Sequence, residues 1–120
     1  MSEQRATIAD LHCHIFPAAE ARAAGTSIPI EPVGGGYRFG NGASAMLLDA
    51  GLLDLEMQVE DMQRQGVGLR ALAIPPFTLR YDLPASEGAR WARAINEGIA
   101  NAIAAHPDQF VGFATLPLQD

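Results

Sequence analysis

The sequence contains no lysine. Its eight basic residues are all arginines and stand against fourteen aspartates and glutamates, for a formal net charge of −6. That balance excludes the positive field by which proteins attract phosphate backbones or anionic lipid, so nucleic acid and membrane surfaces are excluded as partners. A single cysteine, Cys13, cannot form an internal disulfide, in agreement with a reducing compartment. Long hydrophobic runs are absent too. No stretch approaches the ~18 uncharged apolar residues of a membrane span, and the opening MSEQRATIADL lacks an apolar core of signal-peptide length. A soluble cytoplasmic protein is the expectation. Internal repeats and low-complexity tracts are also lacking. What remains, 48% apolar and 18% charged over 120 residues, is ordinary for one globular domain spanning 1–120.

Periodicity and punctuation divide the chain. Residues 7–14, TIADLHCH, alternate and read as a buried strand that Pro17 closes. Residues 15–48 carry Pro29, Pro32 and the glycine-dense GGGYRFGNG, a composition that favours turns, and read as an inserted loop region with room for a small hairpin. Asp54 is a good N-cap. After it Leu55, Val59 and Met62 recur at helical spacing until Gly66 supplies a stop. Leu69 to Ile74 follows as a second strand, ended by Pro75 and Pro76. Ser86 can cap a further helix in which Ala92, Ile95, Ile99 and Ile103 line one face before His106-Pro107 ends it. Phe110 to Leu116 is the third strand. Such alternation implies an α/β fold with parallel strands joined by right-handed crossovers. A closed eight-stranded barrel needs ~250 residues, so three strands make rather less than half of one. A small open sheet is the alternative, with edges that need cover.

The stretch DLHCHIFP, residues 10–17, places two histidines two apart near a strand end. On a regular strand Asp10, His12 and His14 share one face and Leu11 and Cys13 the other, with the two histidines ~6.6 Å apart at the backbone. Both imidazoles then reach one ion. Neutral imidazole suits zinc and similar divalent metals, and a catalytic site uses three protein ligands with a position left open. The plainer alternative is that both rings hydrogen-bond to loop backbone. Two imidazoles on one buried face carry an unmet polar cost that a shared ion relieves. The carboxyl ends of parallel strands are also where α/β folds place their chemistry.

His106 falls at the opposite end of the sheet, about five strand residues or ~16 Å away, and is expected as a helix-end residue favoured by the helix dipole. Asp10 is expected one step deeper than the histidines, and Cys13 as a packing residue. GGGYRFGNG matches neither a phosphate loop nor a G-x-G-x-x-G turn. Arg38 within it can clamp a substrate carboxylate, because guanidinium donors match that anion bidentately, although an exposed solvated arginine is the plainer reading. Trp91 is expected to pack half-buried on its helix.

DLHCHIFP, the later RAINEG around Asn96 and Glu97, and the closing HPDQFVGFATLPLQD together resemble the aminocarboxymuconate-semialdehyde decarboxylase group of the amidohydrolase superfamily, from about Thr7 to Asp120. The resemblance implies the N-terminal portion of a metal-dependent (β/α)8 TIM barrel. It implies His12 and His14 as metal ligands, with the family's later histidine and aspartate having no counterpart here, and a divalent metal, zinc first. Arg38 loosely matches an arginine that grips substrate carboxylate. The activity implied is non-oxidative decarboxylation of an unsaturated or aromatic carboxylic acid, a small-molecule carboxylate substrate; hydrolysis of a lactone or amide is the alternative. As an isolated chain it is expected to be inactive, a fragment or interaction module. Its unpaired edges and uncovered apolar faces favour self-association, a homodimer among the outcomes.

Overall fold

A computed structural model of the chain describes residues 8–119. Thr7, where the first strand is expected to begin, lies outside the described residues, as does Asp120. The elements in order are β1 Ile8–His14, α1 Ala18–Ala23, β2 Ile30–Val33, β3 Gly36–Phe39, β4 Met46–Leu48, α2 Ala50–Leu53, α3 Leu55–Gln65, β5 Val67–Ala73, α4 Ala85–Ala105 and β6 Phe110–Gly112. Two sheets result. Strands β1, β5 and β6 form a parallel sheet with β5 central, and β2, β3 and β4 form an antiparallel one. No described helix is long and apolar enough to cross a membrane.

The helix α3 forms as its punctuation requires. The Asp54 carboxylate accepts from the backbone N–H groups of Glu56 (2.9 Å) and Met57 (3.4 Å), and Gly66 ends the helix in the left-handed region at φ 70°. Met62 and Val59 point inward against Leu72 and Phe110 in one core. The helix α4 starts one residue before Ser86. Pro84 precedes it, a position where the missing N–H removes no helical hydrogen bond, and no side chain caps it. Gly112 of β6 lies against Ile99 and Ile103 of α4, and Gly98 of α4 against Pro17; a Cβ at either position would collide with those side chains. The two helices thus cover one face of the parallel sheet. On its strands and the segment after them, Ile8, Leu11, Val111, Phe113 and Leu116 remain exposed.

The third strand is shorter than the sequence suggests. It ends at Gly112; the Phe113 N–H still donates to the Leu72 carbonyl (2.9 Å), and beyond it the Asn96 side chain substitutes for a strand partner: Nδ2 donates to the Thr115 carbonyl (3.0 Å) and Oδ1 accepts from the Thr115 N–H (2.8 Å).

Residues 15–48, expected as an inserted loop, are largely folded. Gly34 and Gly35 form a two-residue hairpin turn between Val33 and Gly36, with Gly34 at φ 57°, the conformation such turns demand of their first residue. Glycine density therefore marks a tight turn. The antiparallel sheet delivers Phe39 into the core, where its ring stands 5.5 Å from Phe16 and 5.9 Å from Trp91. Trp91, expected half-buried, is 1% exposed, and its Nε1 donates to the Thr78 carbonyl at 2.8 Å. Ser27 fastens the same segment to α4 through two hydrogen bonds to Glu87 Oε2, at 3.0 Å from the backbone and 2.8 Å from the hydroxyl.

Two outcomes follow. Replacing Phe39 with Ala should lower unfolding free energy by ~3–5 kcal/mol in urea titration, the cost of emptying a large aromatic site; a draped, unpacked insertion would change it by less than ~0.5 kcal/mol. The Ser27 hydrogen bonds hold the Glu87 carboxyl below the usual glutamate range. A folded pKa below the unfolded one stabilises the fold above the ordinary carboxylate range, and that contribution disappears as pH falls through the depressed value. Glu87→Gln should therefore flatten the acid limb of the melting temperature against pH. An unaltered acid limb would contradict the assignment.

Candidate metal centre

The pairing of β1 with β5 is irregular where it matters. Asp10 stands opposite Arg70 and Cys13 opposite Leu72, so three steps along β1 match two along β5. This is a β-bulge, and one extra residue re-aims every side chain beyond it. The regular alternation expected from the sequence therefore fails at Asp10. The register puts Asp10, opposite Arg70, on the same side of the sheet as Cys13, opposite Leu72. Asp10 Oδ2 accepts from Arg70 Nε at 3.1 Å, and Arg70 Nη2 donates to Asp61 Oδ2 of α3 at 3.1 Å. Arg70 is nearly buried, at 7% side-chain exposure. Its hydrogen bond holds the Asp61 carboxyl below the usual range.

His12, within the bulge, and His14, just beyond it, are neighbours. The His12 and His14 ring centres lie 5.1 Å apart with planes at 89°. A zinc-class ion ~2.1 Å from one nitrogen of each ring would sit ~3.2 Å from each centre, and a tetrahedral angle would then separate the centres by ~5 Å. The observed separation of the ring centres matches that spacing. His14 Nδ1 lies 3.3 Å from the Ala73 carbonyl, an acceptor that would keep the proton on Nδ1 and leave Nε2 available. Among the described residues no third histidine, cysteine, aspartate or glutamate joins the pair to complete a metal-binding group.

Two clefts meet at His14. One, of about 470 Å³, is bordered by His12, His14, Leu52, Gln58, Asp61 and Arg70. The other, of about 420 Å³, is bordered by His14, Ala73, Tyr81, Phe113, Thr115 and Leu116. Arg38 lines neither. It sits mid-strand in β3, exposed, with Nη2 donating to the Gly42 carbonyl at 3.4 Å. His106 is also apart, with Nε2 2.7 Å from Glu56 Oε1.

Gln58 has no place in the sequence-level picture, yet it braces the histidine strand. Its Nε2 donates to the His14 carbonyl at 2.8 Å and its Oε1 accepts from Cys13 Sγ at 3.3 Å. Burial pushes the Cys13 thiol up, consistent with a protonated donor. The signal for Gln58 was positional: three residues after Leu55, it falls on the apolar stripe of α3. For Arg70 it was a lone charge inside the apolar strand VGLRALA, which demands buried partners.

A parallel α/β unit with an imidazole pair at a strand's carboxyl end is the class that fold and site define. No family model matches the chain. The 2-amino-3-carboxymuconate-6-semialdehyde decarboxylase of Dictyostelium discoideum is 24% identical over 72 residues, 60% of this chain and 20% of that protein, so the resemblance read from DLHCHIFP has a curated counterpart. Among solved structures, IDCase of Metarhizium anisopliae in its apo form aligns with 98% of this chain and 37% of its own at a TM-score of 0.73 and 19% identity. A dihydroxybenzoic acid decarboxylase of Polaromonas, solved with bound manganese and the inhibitor 2-nitroresorcinol, aligns with 97% of this chain and 32% of its own at 0.64 and 20% identity. A 2,6-dihydroxybenzoate decarboxylase in complex with 2,6-dihydroxybenzoate aligns over 97% and 32% at 0.61 and 24% identity. The chain thus spans a fifth of its curated relative and about a third of each solved one.

Gln58→Met removes all three side-chain bonds, including the 3.4 Å one from Nε2 to the Gly51 carbonyl, at similar volume and leaves the His14 carbonyl without its donor. It should cost ~1–3 kcal/mol of stability by urea unfolding; a change within ~0.5 kcal/mol would show that Gln58 braces nothing.

Proposed function

We propose that the chain forms the first strands of a metal-dependent (β/α)8 barrel related to the aminocarboxymuconate-semialdehyde decarboxylases, whose complete form removes CO2 without oxidation from an unsaturated or aromatic carboxylic acid. The observation that carries this is the 5.1 Å His12–His14 pair at the carboxyl end of β1. The exposed apolar side of the parallel sheet, with Val111 and Phe113, supports the barrel, since a barrel's further strands would cover it. Decarboxylases among the structural neighbours support the reaction class.

In this reading His12 and His14 hold two positions of a divalent ion, zinc first because imidazole suits it and carboxylate donors are missing from the pair. When bound, such an ion supplies Lewis-acid polarisation of substrate oxygen. His14, with Nδ1 facing the Ala73 carbonyl, presents Nε2 to the site. Tyr81, Phe113 and Leu116 give the 420 Å³ cleft an apolar wall that suits an unsaturated ring. Arg38 is kept as the carboxylate clamp on the family resemblance alone, since it lines neither cleft and its one long hydrogen bond goes to the Gly42 carbonyl. We place the protein in the cytoplasm; in the isolated chain the bare apolar face favours self-association, a homodimer among the outcomes. Two imidazoles alone bind an ion but do not complete the ligand set that activates it, so the isolated chain has no turnover.

Mass spectrometric metal analysis of the purified protein after zinc loading tests the assignment. The wild type should carry zinc and the His12→Ala, His14→Ala double variant less than ~10% of that amount, as expected when both donors are lost. Equal zinc in the two would end the metal reading.

A further inference from the structure

We propose that Arg70 is a positioning residue that sets the direction of His12 through Asp10; the inference rests on the metal reading of the histidine pair. The bulge leaves Leu11 and His12 without register partners on β5, so the ladder itself does not determine where the His12 N–H points. That N–H is instead taken by a side chain, Asp10 Oδ1, at 3.1 Å. The second oxygen of the same carboxylate is held by Arg70 Nε at 3.1 Å. One carboxylate therefore joins the bulged backbone to a guanidinium on the neighbouring strand.

Arg70 is itself firmly placed. It lies on the central strand, its backbone N–H donates to the Gln109 carbonyl at 2.9 Å, and its Nη2 reaches Asp61 of α3 at 3.1 Å. With its side chain 7% exposed it has no solvated alternative rotamer to share the time. The planar fork matters, because it addresses Asp10 and Asp61 from fixed directions at once, which a lysine ammonium on a flexible stem does not. The chain of contacts Asp61–Arg70–Asp10–His12 thus transmits the position of α3 to the first imidazole, while Gln58 does the same for the His14 carbonyl. Without Arg70, Asp10 at 32% side-chain exposure is free to turn to water, and the bulge can change its local twist and take the His12 ring with it. Outer partners of this kind typically alter metal affinity by ~10–100-fold.

Cobalt(II) titration of the full chain, followed by d–d absorption, reads the effect without any turnover. Arg70→Met should weaken cobalt binding by ~10-fold or more and alter the band shape. Arg70→Gln, which keeps one N–H donor for Asp10, should recover part of that loss. Phe39→Ala, destabilised in the core away from the pair, should keep wild-type affinity in its folded fraction. If Arg70→Met does not fold, Asp10→Asn decides, since it keeps the acceptor for His12 N–H and loses only the ionic tie; a weaker but measurable loss of affinity supports the inference, and wild-type affinity overturns it. Unchanged cobalt binding in folded Arg70→Met overturns the positioning role and leaves the metal site standing. An equal loss in Phe39→Ala also overturns it, by showing a general effect of stability. Cobalt binding by the wild type that survives His12→Ala and His14→Ala removes the metal reading and the inference together.

Discussion

Between Asp10 and Cys13 three steps of β1 stand against two of β5, and this local surplus residue governs the distribution of polar groups around the first strand. Up to Asp10 the strand presents its carboxylate to α3. Across the bulge it brings the two imidazoles together, and after it presents Cys13 to α3. A regular strand would have placed Asp10 with the histidines and left Arg70 with Asp61 as its one carboxylate partner. A buried guanidinium with its donors only partly satisfied is costly, so the bulge and the Asp10–Arg70–Asp61 network support each other. Stability alone does not account for keeping such a network, because well-packed apolar residues often serve as well.

The parallel sheet is finished on one side only. Helices α3 and α4 cover Leu72, Phe110 and Gly112, with glycine at 112 and at 98 admitting close approach by Ile99, Ile103 and Pro17. The other side keeps exposed Val111 and Phe113 and borders the cleft that His14 shares with Tyr81 and Leu116. Site and bare face therefore coincide. The alignments each cover about a third of a solved chain.

The segment between the first and second parallel strands shows how composition can mislead. Glycine and proline density marks places where the backbone must turn, and says little about whether the residues between turns are packed. Phe16, Phe39 and Leu48 are all buried, and with Trp91 they make an aromatic core that ties the antiparallel sheet to α4. Such a cluster is built from residues up to 75 positions apart, which no local pattern reports.

Local chemistry was enough to locate the helix from Asp54 to Gly66, the parallel strands around Leu69–Ile74 and Phe110, the end of α4 at His106, and the histidine pair itself. Each of these depends on interactions within a few residues: a cap, a left-handed glycine, an apolar stripe, a proline. The direction of Asp10, the packing of residues 15–48, the early end of β6 at Asn96's clamp, and the parts played by Gln58 and Arg70 were decided only in three dimensions. Register between strands about sixty residues apart is set by which side chains can be buried together, and one residue of slip in that register reverses the face on which a carboxylate lies.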